Sequence, residues 1–148
     1  MAFFWSKKRL LQKNTARVAY LIGFVLFFLL TEFGRKIYRP YVYQHHVDDY
    51  GIADTIGNSL GTLTQILLYL GLANATKAQS YRIIAFVTLG YIAYEIVQPF
   101  LPRGTFDWKD VWATVAAGIS ATVFVTLIHF FFPEQESRES RSRQFPIQ

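Results

Sequence analysis

The sequence predicts an all-α membrane protein, a four-helix transmembrane bundle with both termini cytoplasmic. Three observations carry this expectation. Of 148 residues, 52% are hydrophobic and 18% aromatic, more than a soluble domain of this size can hide. Four apolar runs each approach the ~20 residues needed to cross a ~30 Å hydrocarbon core. The 15 Lys and Arg residues flank those runs, so the net charge of +5 signals topology and not nucleic-acid binding.

The first element is a basic amphipathic segment over residues 1–15, in which Phe3-Phe4-Trp5 and Leu10-Leu11 bracket Lys7-Lys8-Arg9. Such a segment suits the headgroup zone. The transmembrane domain spans 16–132, with helices expected at about 16–33, 55–73, 83–101 and 111–132. The first run ends in Thr31-Glu32-Phe33-Gly34-Arg35-Lys36 without a small-x-small cleavage site, so it is expected to be an uncleaved helix and not a signal peptide. Asn58, Thr62, Thr64 and Gln65 dilute the second, which therefore needs partner helices to shelter them. The fourth contains no charged residue, only His129 near its end, where interfacial packing is expected. Gly57 and Gly61, and Ala113, Ala117 and Ala121, recur every four residues and allow close helix approach. The tail, 133–148, is polar and expected to be disordered.

Ten Lys and Arg residues lie on one side of these spans: five before or at the first, Lys77 and Arg82, and Arg138, Arg141 and Arg143. Five lie on the other: Arg35, Lys36, Arg39, Arg103 and Lys109. The positive-inside rule then puts both termini in the cytoplasm. Tyr38, Tyr41, Tyr43 and Trp108 fall where an interfacial aromatic belt is expected.

Ionisable groups at membrane depth are functional candidates. Glu95 and Gln98 are three apart and share a helix face, with Glu95 about 9 Å below the helix end. A carboxylate there should be protonated, paired or wet, and Arg103 is the nearest cation by sequence. That pair could be a ligand site or a staple locking the bundle. Pro99 and Pro102 must stop or kink the third helix. Asp107 or Asp110 can cap the fourth helix, and Asp110 is favoured because it directly precedes the apolar run. Asp54 can likewise cap the second helix, with Asn58 one turn on. The candidate ligand-binding set is therefore Asp54, Asn58, Glu95, Gln98, Arg103, Asp107 and Asp110. Its carboxylates suggest a divalent cation and Arg103 a lipid phosphate; the residues alone leave both open. His45-His46 with Asp48-Asp49 resembles metal ligands by type but lacks chelating spacing, so no metal is assigned there. No Gly-rich phosphate loop, nucleophile elbow or zinc-protease motif occurs, there is no cysteine, and neither a catalytic residue nor a cofactor is implied.

These residues resemble the VanZ-like family of small bacterial membrane proteins. Its second half typically reads as a helix ending in Glu-x-x-Gln, a proline–arginine turn and an aspartate opening the last helix. Here those are Glu95, Gln98, Pro102, Arg103, Asp107 and Asp110, preceded by an Asp-x-x-x-Asn in Asp54 and Asn58. The resemblance covers about residues 50–125 and departs from the pattern at Thr114 and Ala117, where the family usually carries asparagine and glycine. It implies a multi-pass protein of the bacterial inner (cytoplasmic) membrane, associated with the cell envelope and with glycopeptide resistance. The expected function is binding of a polar or charged ligand, such as a lipid-linked cell-wall precursor, at an outer-face cavity. The alternatives are an accessory subunit of a larger membrane complex and, on the clustered carboxylates alone, an enzyme acting on lipid carriers. Membrane lipid is the expected partner in each.

Overall fold

The computed structural model describes residues 2–102 and 104–132, with side chains from Thr15 onward. Helix α1 (Ala2–Phe33) runs through a π turn (Gly34–Tyr38) into α2 (Arg39–Gln44), followed by α3 (Ile52–Ala73), α4 (Lys77–Val97), a 3-10 turn (Gln98–Phe100) and α5 (Trp108–Phe131). No strand occurs among the described residues. Four helices are long and apolar enough to cross a membrane: Thr15–Gln44, Ile52–Ala73, Lys77–Phe100 and Trp108–Phe131. Their outward faces expose Leu26, Leu29, Phe86, Leu89, Ile119 and Phe130, a surface suited to lipid and not to water.

The expected helix boundaries are corrected at three places. The segment before Thr15 continues α1 along its backbone and forms no separate short helix. The first span does not stop at 33, because Arg35, Lys36 and Arg39 continue it as helix to Gln44. Those charges suggest a loop by composition, but Glu32 sits one turn back and pairs with Lys36 at 2.8 Å and Arg35 at 3.9 Å. Pro40 would clash with the carbonyl four residues earlier in a regular helix, and the widened π turn immediately before it accommodates the ring. The third span starts at Lys77 and not at 83. Thr76 and Gln79 form a reciprocal capping box there (2.9 and 3.4 Å), so only residues 74–76 connect α3 to α4.

Helix α3 occupies the middle, packing against α1, α4 and α5. Its Leu63, Ile66, Leu67 and Leu70 form the core with Tyr20, Ile84, Ala117, Ala121, Val125 and Ile128. Ala117 and Ala121 are the small residues used for close packing, whereas Gly57 and Gly61 face open space within the chain. At the Arg17 end of the bundle, Arg17 Nε donates to the Gly71 carbonyl at 3.0 Å. In the last turn of α5, His129 is only 6% exposed and shares a 3.3 Å hydrogen bond with the buried Tyr20 hydroxyl.

A candidate ligand site at the Glu95 end of the bundle

Glu95 lies on the narrow inward stripe of α4, whose buried residues are Ser80, Ile84 and Glu95. Its neighbours Tyr94 and Ile96 are more than half exposed while Glu95 is 0% exposed, so the helix turns this one carboxylate fully inward. Gln98 Nε2 donates to Glu95 Oε2 at 2.8 Å, the pairing expected from their shared face. The other oxygen, Oε1, is buried with no hydrogen-bond partner among the described residues. Pro99 then ends regular helix, and the 3-10 turn closes with Leu101 N donating to Gln98 O at 2.9 Å. Gly104 returns against the Gln98 carbonyl so closely that a Cβ has no room, which requires glycine at this turn.

Asp107 is the α5 cap, accepting from the Lys109 amide at 2.8 Å, and Asp110 instead sits in the first helical turn. Apolarity begins at Val111, which favoured Asp110, but the extended backbone of an N-cap occurs at Asp107. Asp110 and Asp107 are the carboxylates within electrostatic reach of Glu95. Asp54 does not cap α3. It lies in the first turn, bonded by the Tyr43 hydroxyl and 3.4 Å from Arg39 Nη2. Arg39 also donates through Nε to Tyr43 Oη at 3.1 Å and lies within electrostatic reach of Asp110. Asn58 is half-buried one turn along α3 from Asp54. Arg103, the expected cationic partner of Glu95, lies outside the described residues.

By direct contact the structure pairs Glu95 with Gln98, and Asp54 with Arg39 and Tyr43. Among the described residues no hydrogen bond or ion pair joins Asp107 or Asp110 to either pair; Asp110 lies within electrostatic reach of both Glu95 and Arg39. Sequence reasoning missed Arg39 as a site residue. Its signal was the four-residue spacing to Tyr43, which has meaning only once residues 39–44 are helical. The hydroxyls of Thr62, Thr88 and Thr114 were also missed; all three are buried without a hydrogen-bond partner among the described residues.

The loop between α2 and α3 is structural. His45 stacks on Tyr41 at 4.2 Å and Asp48 accepts from the Tyr50 amide at 3.2 Å. Asp49 accepts from the Ala53 amide (2.6 Å), the Gly51 amide (3.0 Å) and the Tyr38 hydroxyl (3.3 Å) and so anchors the start of α3. Desolvation opposes its charge, but these three donors outweigh it and hold the Asp49 carboxyl below its ordinary value. Among the described residues no three His, Asp or Glu side chains gather as metal ligands.

Chemically, a buried carboxylate with one oxygen held and one open receives a hydrogen-bond donor or a cation. Comparison with known proteins finds no family model that matches the chain, no similar curated protein and no similar solved structure.

Proposed function

We propose that the chain is a VanZ-like, multi-pass protein of the bacterial inner membrane that binds a polar or charged ligand at the Glu95 end of its bundle, without chemical turnover. In this reading both termini are cytoplasmic, the Glu95 end faces outward, and the ligand is a lipid-linked cell-wall precursor. The observation that carries the reading is Glu95 Oε1, fully buried and without a hydrogen-bond partner among the described residues, beside the Gln98-bound oxygen. Orphaned buried acceptors cost free energy, and intramembrane carboxylates serve as ligand contacts or ion-path groups. Arg39 and Arg103 supply positive charge for a phosphate, with Asp54, Asn58, Asp107 and Asp110 forming the rim.

Glu95→Gln and Arg103→Ala should leave the protein folded and inserted. Both should change binding of a polyprenyl diphosphate-linked saccharide and alter glycopeptide sensitivity of the host cell. Unchanged binding and sensitivity in both variants would sink the reading. The chain lacks cysteine, so single introduced cysteines at the exposed residues 48 and 105, labelled from either side of intact cells, report orientation without background.

A second reading, an accessory subunit of a larger membrane complex, is favoured by Gly57 and Gly61, whose faces meet no described residue. A small-residue face of this spacing admits a neighbouring transmembrane helix. Recovery of a stoichiometric partner from native membrane, lost in Gly61→Leu, would support it over the first.

A further inference from the structure

Helix α3 carries a second stripe that the core does not use. Asp54, Asn58, Gly61, Gln65, Leu68 and Leu72 recur at alternating spacings of four and three residues along its length. That is the 3.5-residue period of a seam that packs against another helix. None of the six is buried, whereas Leu63, Ile66, Leu67 and Leu70 of the same helix form the core. Helices α1, α4 and α5 all pack on α3, but α1 and α4 do not approach each other. The strip of α3 between them, on the side away from α5, therefore stays open. A Cβ added at Gly57 or Gly61 would meet no described residue within 4 Å.

This open stripe is polar at membrane depth. Asn58 lies about 9 Å from the first residue of α3 and Gln65 about 12 Å from its last, at 1.5 Å per residue. Both carboxamides thus fall within the span of the hydrocarbon core. Neither makes a side-chain hydrogen bond among the described residues. The neighbouring hydroxyls of Ser59 and Thr64 are satisfied by carbonyls of their own helix, at 2.9 and 2.7 Å. A carboxamide has two donors and an acceptor to satisfy, and lipid tails offer none of the partners. An acyl chain would cover this face and leave both amides wanting. A helix that presents amides at the same two depths would not.

We infer that this face of α3 packs against the same face of a second copy of the chain, as a parallel pair about a two-fold axis normal to the membrane. Copies inserted with one topology hold each residue at one depth, so Asn58 meets Asn58 and Gln65 meets Gln65. Such pairs are self-complementary, because each amide donates to the carbonyl oxygen of its mate and accepts in return. Gly61 lies between the two pairs and has no side chain to hold the backbones apart. Asp54, the one charge on the stripe, is already opposed by Arg39 at 3.4 Å, so bare like charges do not meet. The inference goes beyond the ligand reading. It takes Asn58 from the rim of that site and leaves Glu95, Gln98, Asp107 and Asp110 there.

The test places single cysteines in the full chain, which has none of its own, and oxidises it in phosphatidylethanolamine–phosphatidylglycerol liposomes. Gly61→Cys and Leu68→Cys should give disulfide-linked dimers, since such a bond needs Cα atoms within about 7 Å. Phe86→Cys and Ile119→Cys, on exposed faces of α4 and α5, should stay monomeric. Counting labelled subunits by photobleaching in the same liposomes should show pairs. Asn58→Leu, Gln65→Leu and Gly61→Leu should each weaken pairing about tenfold, and Asn58→Gln, which keeps an amide, should pair better than Asn58→Leu. Unfolding of isolated chains in excess detergent should be unchanged in these variants, which separates lost pairing from lost fold. Monomers at every density, equal crosslinking at 61 and 86, or leucine variants that pair like the parent would overturn the inference. A monomer recovered with a different protein on this face overturns it and supports the accessory-subunit reading. A dimer that binds no polyprenyl diphosphate-linked saccharide keeps the inference and loses the ligand reading. A monomer that binds it does the reverse.

Discussion

Helices α3 and α4 are connected by only residues 74–76, yet the bundle treats them in opposite ways. In its most apolar stretch α3 has 44% of its residues buried, against 11% for α4, although that stretch of α3 is the less apolar of the two. In water the more apolar helix would be expected inside. In lipid the solvent is itself apolar, so a helix gains nothing by hiding leucines and much by hiding polar groups. Asn58, Thr62, Thr64 and Gln65 draw α3 to the centre, where Thr62 and Thr64 are buried. Helix α4 displays Phe86, Leu89 and Ile96 outward, and two of its three buried residues, Ser80 and Glu95, are polar. On α4 what turns inward is largely polar, whereas α3 buries Thr62 and Thr64 beside the apolar core of Leu63, Ile66, Leu67 and Leu70.

The largest break in this contrast should come from truncating an apolar side chain in each helix. Leu67→Ala on α3 removes a 0% exposed side chain packed against Gly23 and should destabilise by about 2 kcal/mol or more. Phe86→Ala on α4 removes a larger but 76% exposed side chain and should cost under ~0.5 kcal/mol. Reversible unfolding of the two variants in mixed micelles, followed by far-UV circular dichroism, measures both. Equal losses would mean that the apolar face of α4 is covered and that burial does not follow polarity here.

The second effect sharpens the polar half of the contrast. Gln98→Ala removes the only donor to Glu95 Oε2 among the described residues and leaves both carboxylate oxygens unsatisfied. A loss of about 1–3 kcal/mol is expected, against nearly none for Gln65→Ala on half-buried α3 surface. The same unfolding measurement decides it. A neutral Gln98→Ala would mean that Glu95 finds another donor in lipid.

The four spans were legible in the sequence because length and apolarity are what a bilayer demands. The polar dilution of the second span was equally legible as a need for partners, and it became the centre. Boundaries were less legible, since an apolar-run criterion ends where charge begins. It stopped at Phe33, although Glu32 can hold Lys36 within a continuing helix, and it began the third span late despite the Thr76–Gln79 capping pair. Of the site, the Glu95–Gln98 face follows from spacing alone. Arg39 was hidden by a helix that composition reads as loop. The orphaned hydroxyls could not be foreseen, because whether a threonine bonds its own backbone is a rotamer choice invisible in residue type.

The smallest expected effect concerns how the inward helix is started. Asp49 sits before α3 and holds the Gly51 and Ala53 amides and the Tyr38 hydroxyl, contacts that need its charged form as acceptor. Its carboxyl is held below its ordinary value, so its contribution is complete above the unfolded-state pKa of about 3.9 and fades as pH falls through the lower folded-state value. Asp49→Asn removes that linkage while keeping a similar shape. The difference in unfolding midpoint between parent and variant should be constant from neutral pH to about pH 5 and should shrink below ~3.9. Titrating the difference, not the parent alone, cancels the other carboxylates. A gap that widens with acid would show that Asp49 is protonated in the folded chain, and the start of α3 would then be held by its neighbours and not by this carboxylate.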